Sequence, residues 1–163
     1  MSQPVATAGD RALLASLSAQ RDHVLGILDG LPGAALHRPV LPSGWTCLGL
    51  VRHLALDVER FWFRGVVAGQ PVADSPDAWQ VPAGTPAQDV LGLYRREIAL
   101  ADAVIAATPL DTPPAWWPSW WPDWRHADLR ETILHVITET ACHAGHLDAV
   151  RELIDGRTWM VVP

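Results

Sequence analysis

The most constraining feature of the sequence is one long stretch that predicts a single amphipathic helix, DLRETILHVITETACHAGHLDAVRELID, from Asp128 to Asp155. At about 100° per residue, its apolar side chains share one face of the helix, and most of its charged side chains lie outside that face. Burying a polar group is costly unless it is paired. This helix therefore demands partners for four polar side chains on or beside its core face: His135, Glu139, His143 and His146.

One divalent cation is the simplest single partner for a carboxylate and several imidazoles. Glu139 and His143 are four residues apart, so both side chains can reach the same ion above the helix surface. Such an ion needs a third ligand from a different element to fix its geometry, and His53 lies on a second predicted helix. The alternative is that the histidines hydrogen-bond one another in the core without a metal.

Prolines and glycines divide the rest of the chain into helices and connections. The connection over 31–45 contains three prolines and is compatible with one short helical turn, and 69–84 is a second proline-rich loop. We expect an all-α fold, in which four antiparallel helices with long connections form one domain over 1–163. Apolar spacing predicts the first three helices over 11–28, from a cap at Ser43 or Thr46 to about Val67, and from Thr85 to about Ala107.

The segment between the third and fourth helices is rich in proline and tryptophan, so it cannot form a regular helix. The purely structural interpretation is a loop that buried indoles hold against the bundle. A hood over a substrate pocket and a contact in a homodimer are the functional alternatives, because tryptophan is enriched in both settings. The segment carries Trp116, Trp117, Trp120, Trp121 and Trp124.

Composition excludes several classes of function. The net charge is −6 and the 12 basic residues are scattered without a basic stripe, so a nucleic-acid partner is not expected. Apolar runs are interrupted by charge well before a membrane-spanning length, and the N-terminus lacks the pattern of a secretory signal. Two cysteines are too few for a disulfide framework. We therefore expect a cytoplasmic protein without a membrane partner.

Two motifs resemble one family over nearly the whole chain. PSGWTCLGLVRHL in the second helix and ETACHAGHLDAVRELIDG in the fourth are similar to the DinB-like superfamily, which includes YfiT-like metal enzymes. Within it, the chain resembles the branch of mycothiol-dependent maleylpyruvate isomerases and thiol-dependent S-transferases. The resemblance implies a four-helix bundle that holds a divalent metal, zinc first and nickel second, between its helices.

The resemblance also implies roles for individual residues. It places His53, Glu139 and His143 as metal ligands, and it assigns His135 and His146 to orienting those ligands or shuttling protons. A thiol co-substrate would need further contacts, for which the candidates are Arg52, Arg60, Arg64 and Trp120.

The implied activity is that of a metal-dependent thiol S-transferase or thiol-assisted isomerase. A low-molecular-weight thiol on the metal, mycothiol before bacillithiol or glutathione, would lose its proton and attack a small electrophile. Isomerisation of maleylpyruvate itself is not expected, because those isomerases use a further C-terminal domain and this chain ends at Pro163. The alternatives are a hydrolase that uses metal-bound water, a non-catalytic metal-containing bundle that binds a ligand or partner helix, and, less favoured, an iron oxygenase.

Overall fold

Four long helical segments make up the architecture in the computed structural model, which describes residues 7–159. Within these residues no β-strand is present, which confirms the predicted all-α bundle with long connections. No helix in the same residues is long and apolar enough to cross a membrane. The elements are α1 (Ala8–Leu28), the short α2 (Gly33–Leu36), α3 (Cys47–His53) continuing into a π-helical segment (Leu54–Val67), α4 (Ala87–Ala107) and α5 (Leu129–Asp155).

Side-chain caps define where the helices begin. Thr7 caps α1 in a reciprocal capping box with Asp10, so α1 begins at Ala8 and not at Arg11 as the apolar spacing predicts. Thr46, the second of the two predicted caps, accepts a hydrogen bond from the Gly49 backbone N–H at 3.0 Å. Asp128 caps α5, which ends at a left-handed glycine, Gly156, with a φ of 79°.

The second long helix reaches Val67 as predicted, but its backbone changes register after His53. From Leu54 onward it is π-helical, and the Ala68 N–H donates to the Phe63 carbonyl, five residues back, at 3.0 Å. The predicted end of the helix is therefore confirmed, whereas the π-helical hydrogen bonding of its second part was not predicted. The partly buried residues of this segment, Asp57, Arg60, Phe61 and Arg64, recur every three or four positions, a spacing that predicts a helix without distinguishing α from π hydrogen bonding.

The π-helical segment packs against α4 and α5, while α1 packs mainly against α5. A buried ion pair lies at this junction: the Arg21 guanidinium donates from Nε and Nη2 to the two carboxylate oxygens of Glu59 at 2.7 and 2.6 Å. The third nitrogen, Nη1, donates to Asp102 of α4 at 2.7 Å. One side chain of α1 thus links the π-helical segment to α4.

The tryptophan-rich segment is attached to the bundle through its backbone. The N–H groups of Ala115 and Trp116 donate to the carbonyls of Val67 and Val66 at 3.2 and 3.1 Å, at the end of the π-helical segment. Close to α5, the Leu129 N–H donates to the Thr112 carbonyl at 3.0 Å. These bonds place the indoles between the π-helical segment and α5.

Candidate metal site beside an aromatic cavity

The three predicted ligands converge on one point between two helices. His53 is the last residue of α3, and Glu139 and His143 lie one turn apart on α5. One ligand atom from each of the three lies within 4.8 Å of the others. The close packing of α5 on the second long helix brings together residues that are far apart in the chain.

Two buried nitrogen atoms at this point have no hydrogen-bond partner: Nε2 of His53 and Nδ1 of His143. Nε2 of His53 lies 3.6 Å from Oε1 of Glu139, which is too long for a hydrogen bond. Native structures rarely leave buried polar atoms unpaired. Two unpaired imidazole nitrogens facing a carboxylate are the donor set that a zinc-like cation takes.

Asp57 selects which nitrogen of His53 faces the site. His53 Nδ1 donates to Oδ2 of Asp57 at 2.9 Å, so Nε2 is left as the free acceptor. A carboxylate behind a histidine is the usual arrangement around protein-bound metals, where it fixes the tautomer and the ring orientation. The i, i+4 spacing of the two residues in the sequence was a signal that could have identified Asp57.

The surroundings of Glu139 and His143 favour the deprotonated forms of both side chains, which are the forms that bind metals. Burial raises the pKa of Glu139, but the attraction of the nearby imidazoles of His135 and His53 outweighs it and holds that pKa at about 2. Burial, and then the charge of His53, lower the pKa of His143 to about 4. For His53, burial is outweighed by Asp57 and Glu139, so its pKa is raised. At neutral pH Glu139 is a carboxylate and His143 a free base, as metal ligands must be.

The two histidines predicted to act beside the ligands have different positions. His135 is half-buried, and its Nε2 lies 3.2 Å from Oε2 of Glu139, on the side where the site opens into a cavity. His146 is exposed, with its ring 5.6 Å from that of His143 and 6.3 Å from that of Trp45. His135 thus borders the space where a substrate would lie, and His146 lies on the outer side.

Trp79 covers the candidate ligands from the connection between the second long helix and α4. Its indole stacks on the His53 ring at 4.3 Å and 18°, and meets the His143 ring at 5.6 Å. This contact was not foreseen, because a tryptophan in a loop carries no periodic signal that reveals its partner.

Arg52 and Arg60 hold that connection against the helix. The Arg52 guanidinium donates to the carbonyls of Asp77 and Gln80, on either side of Trp79. Arg60 donates to the Ala73 carbonyl at 3.0 Å and to the Ser75 hydroxyl. These contacts support a role in positioning the loop, and the thiol-binding role expected for the two arginines stays a prediction.

A cavity of about 1090 Å³ opens next to Glu139 and His135. It lies between the π-helical segment, the loop 69–76 and the tryptophan-rich segment, so four of the predicted indoles border a cavity, as a hood would. Trp120, predicted to contact a cofactor, lies in its wall. The aromatic residues of the lining are Phe61, Trp62, Trp116, Trp120, Trp121 and Trp124.

The fold and the site define a class: a helical bundle in which two histidines and a glutamate from different helices meet beside a cavity. The sequence model of the mycothiol S-transferase family matches residues 12–156. The chain belongs to that family, which confirms the mycothiol-related, DinB-like branch indicated by the two motifs. A comparison with curated proteins finds no match.

Proposed function

We propose that the chain is a metal-dependent S-transferase that joins the sulfur of mycothiol to a small electrophile. Family membership supports the thiol and the class of reaction. The observation that carries the metal dependence is the pair of buried, unpaired nitrogens of His53 and His143 opposite the Glu139 carboxylate. Two imidazoles and one carboxylate suit zinc, with nickel as the alternative, and leave one position of a tetrahedral ion open.

Two neighbouring residues hold the His53 imidazole in the orientation that a metal ligand at this site needs. Asp57 orients His53 through its Nδ1 atom, and Trp79 stacks on the face of the same imidazole. A bound divalent cation would lower the pKa of a coordinating thiol, so that its sulfur is available as a thiolate near neutral pH. The cavity beside Glu139 is then the place where the electrophile meets the sulfur.

His135 is the group we assign to proton transfer. It lines the cavity and contacts Glu139 at 3.2 Å, so it borders the space that we assign to the electrophile. With an epoxide, the S–H bond breaks, a C–S bond forms, the C–O bond opens and the oxygen takes up a proton. The addition is balanced and needs no further reactant. We assign the exposed His146, whose ring lies 5.6 Å from that of His143, to proton exchange with solvent.

The first experiment is elemental analysis of the purified protein and of its ligand variants. We expect about one divalent metal ion per chain, and a large loss of metal in His53→Ala, Glu139→Ala and His143→Ala, with the helical circular dichroism signal retained. For comparison, His146→Ala is expected to keep most of the metal and to have lower activity. A wild-type protein that binds no metal would contradict the proposal.

The second experiment replaces the metal with cobalt and adds mycothiol, bacillithiol and glutathione in turn. We expect a sulfur-to-cobalt charge-transfer band in the ultraviolet with mycothiol, because the open position accepts the thiol. A cobalt protein whose spectrum is unchanged by all of the thiols would refute thiol binding at the site.

A further inference from the structure

We propose that the cavity beside Glu139 accepts a flat aromatic electrophile that is uncharged or cationic, and that it rejects anionic electrophiles. This inference rests on the proposed function, because it names the substrate class of the same site. Two observations support it: the cavity wall is rich in aromatic side chains, and its charged side chains are carboxylates.

The cavity wall is lined by aromatic rings. Trp62 is buried and stacks on Trp121, with ring centroids 5.7 Å apart and an interplanar angle of 9°, so Trp62 supports the more exposed indoles of the hood. The indoles of the hood are far from fully buried, with exposed fractions of 40% for Trp116, 59% for Trp120, 37% for Trp121 and 44% for Trp124. Indoles that the fold leaves uncovered beside a reaction centre favour a ligand that covers them by stacking.

The charged groups of the lining are acidic. Asp57, Asp74 and Glu139 line the cavity, and no arginine or lysine is among the described residues that do so. The nearest arginines of the π-helical segment are turned to other partners. Arg60 donates to the loop 73–75, and Arg64 donates to Glu97 at 3.0 Å. A carboxylate-bearing substrate would therefore find no arginine or lysine in this lining to pair with, and the imidazole of His135 already faces the carboxylate of Glu139.

A divalent metal would not reverse this balance. If His53, Glu139 and His143 held such an ion, the carboxylates of Glu139 and Asp57 would together offset its charge. With a thiolate co-substrate bound as well, the exposed Asp74 would add to the negative charge of the cavity. Cations are also attracted to indole faces, which strengthens the discrimination against anions.

The test uses three styrene oxides with para substituents that differ in charge: ethyl, carboxymethyl and trimethylammoniomethyl. A methylene group separates each charge from the ring, so the epoxides have similar intrinsic reactivity. With metal-loaded protein and mycothiol, we expect kcat/KM for the carboxymethyl compound to be at least about tenfold below the other two. Equal values for the three compounds would overturn the proposal.

A charge reversal in the cavity wall makes the test specific. Asp74→Arg is expected to raise kcat/KM for the carboxymethyl compound severalfold and to lower it for the trimethylammonium compound. The matched control is Asp123→Arg, on the tryptophan-rich segment but outside the lining, which changes the net charge equally. If both variants shift the ratio of the two rates equally, the net charge of the protein explains the preference and the proposal fails.

Binding without reaction separates this inference from the proposed function. The glycols formed by hydrolysis of the three epoxides are titrated into the metal-loaded protein in the absence of thiol, and quenching of tryptophan fluorescence is followed. Weaker binding of the carboxymethyl glycol supports the substrate class even if no thiol reacts with any epoxide. Rapid S-transfer without a charge preference would refute the substrate class alone.

Discussion

At the scale of single residues, Asp57 controls the geometry of His53 through the hydrogen bond to Nδ1. We predict that Asp57→Asn lowers metal affinity about 10–100-fold, the range typical of lost partners behind metal-binding histidines. An amide can donate to Nδ1 and so favours the wrong tautomer.

Competition with a chromophoric chelator measures this affinity. Asp74→Asn is the matched control. Asp74 lines the same cavity, but the carboxylate that accepts the hydrogen bond from His53 belongs to Asp57. Equal affinity in the two variants would remove Asp57 from its proposed role.

His126 makes stability depend on pH. It is 5% exposed, shares a 3.0 Å hydrogen bond with the Thr132 hydroxyl, and lies 4.9 Å from the rings of Trp62 and Trp124. Burial, and then the charge of His135, lower the pKa of His126 from 6.5 to about 4. As pH falls through 6.5, the unfolded chain takes up this proton first, so the stability present above pH 6.5 declines until about pH 4.

We predict that this decline is smaller in His126→Gln, which has no titrating group at the position. From pH 7 to pH 5, the free energy of unfolding of the metal-free wild type should fall by up to about 2 kcal/mol more than that of the variant. Urea unfolding at the two pH values measures the difference. Parallel pH dependence in the two proteins would show that His126 is not the responsible group.

At the scale of elements, the loop that carries Trp79 is seated on α3 because residue 49 has no side chain. A Cβ at Gly49 would overlap the backbone carbonyl oxygen of Trp79, so the close approach of loop and helix requires glycine. We predict that Gly49→Ala displaces Trp79 from His53 and speeds the release of bound cobalt to a chelator, with a destabilisation of about 1–3 kcal/mol.

Gly92 of α4 provides the control for this substitution. A Cβ there meets only the flexible end of Arg96, at 3.7 Å. Gly92→Ala should therefore leave cobalt release unchanged and stabilise the helix by roughly 0.5–1 kcal/mol. If Gly49→Ala releases cobalt no faster than Gly92→Ala, the loop does not protect the site.

At the scale of the whole molecule, the Arg21–Glu59 pair couples the site-bearing helix to α1. Glu59 is fully buried, so removing Arg21 leaves a carboxylate in the core without its partner. We predict that Arg21→Met destabilises the protein by about 3–5 kcal/mol, whereas the double variant Arg21→Met/Glu59→Leu recovers most of that loss.

Urea unfolding of the single and double variants tests this coupling. Asp102→Asn is the comparison, because the Asp102 side chain is 57% exposed and its loss should cost no more than about 1 kcal/mol. A double variant as unstable as Arg21→Met alone would mean that packing, and not the unpaired charge, determines the effect.

Much of the fold was predictable from local features of the sequence. Caps, prolines, glycines and apolar spacing located the ends of the four long helices within a few residues, because these signals act between near neighbours in the chain. The i, i+4 spacing of Glu139 and His143, and their place on a core-facing stripe, likewise indicated two of the three candidate ligands before any tertiary contact was known.

Other features were decided only by tertiary structure. The π-helical register, the stacking of Trp79 on His53, the use of Arg52 and Arg60 to hold a loop, and the exposure of His146 all depend on what packs against each residue. The helical wheel of α5 also placed Leu153 on the core side with its neighbour Ile154, yet Leu153 is 64% exposed while Ile154 packs against the core. Periodicity shows which side of a helix is apolar. The partner on that side, and how far along the helix it extends, are set by contacts between residues distant in the chain.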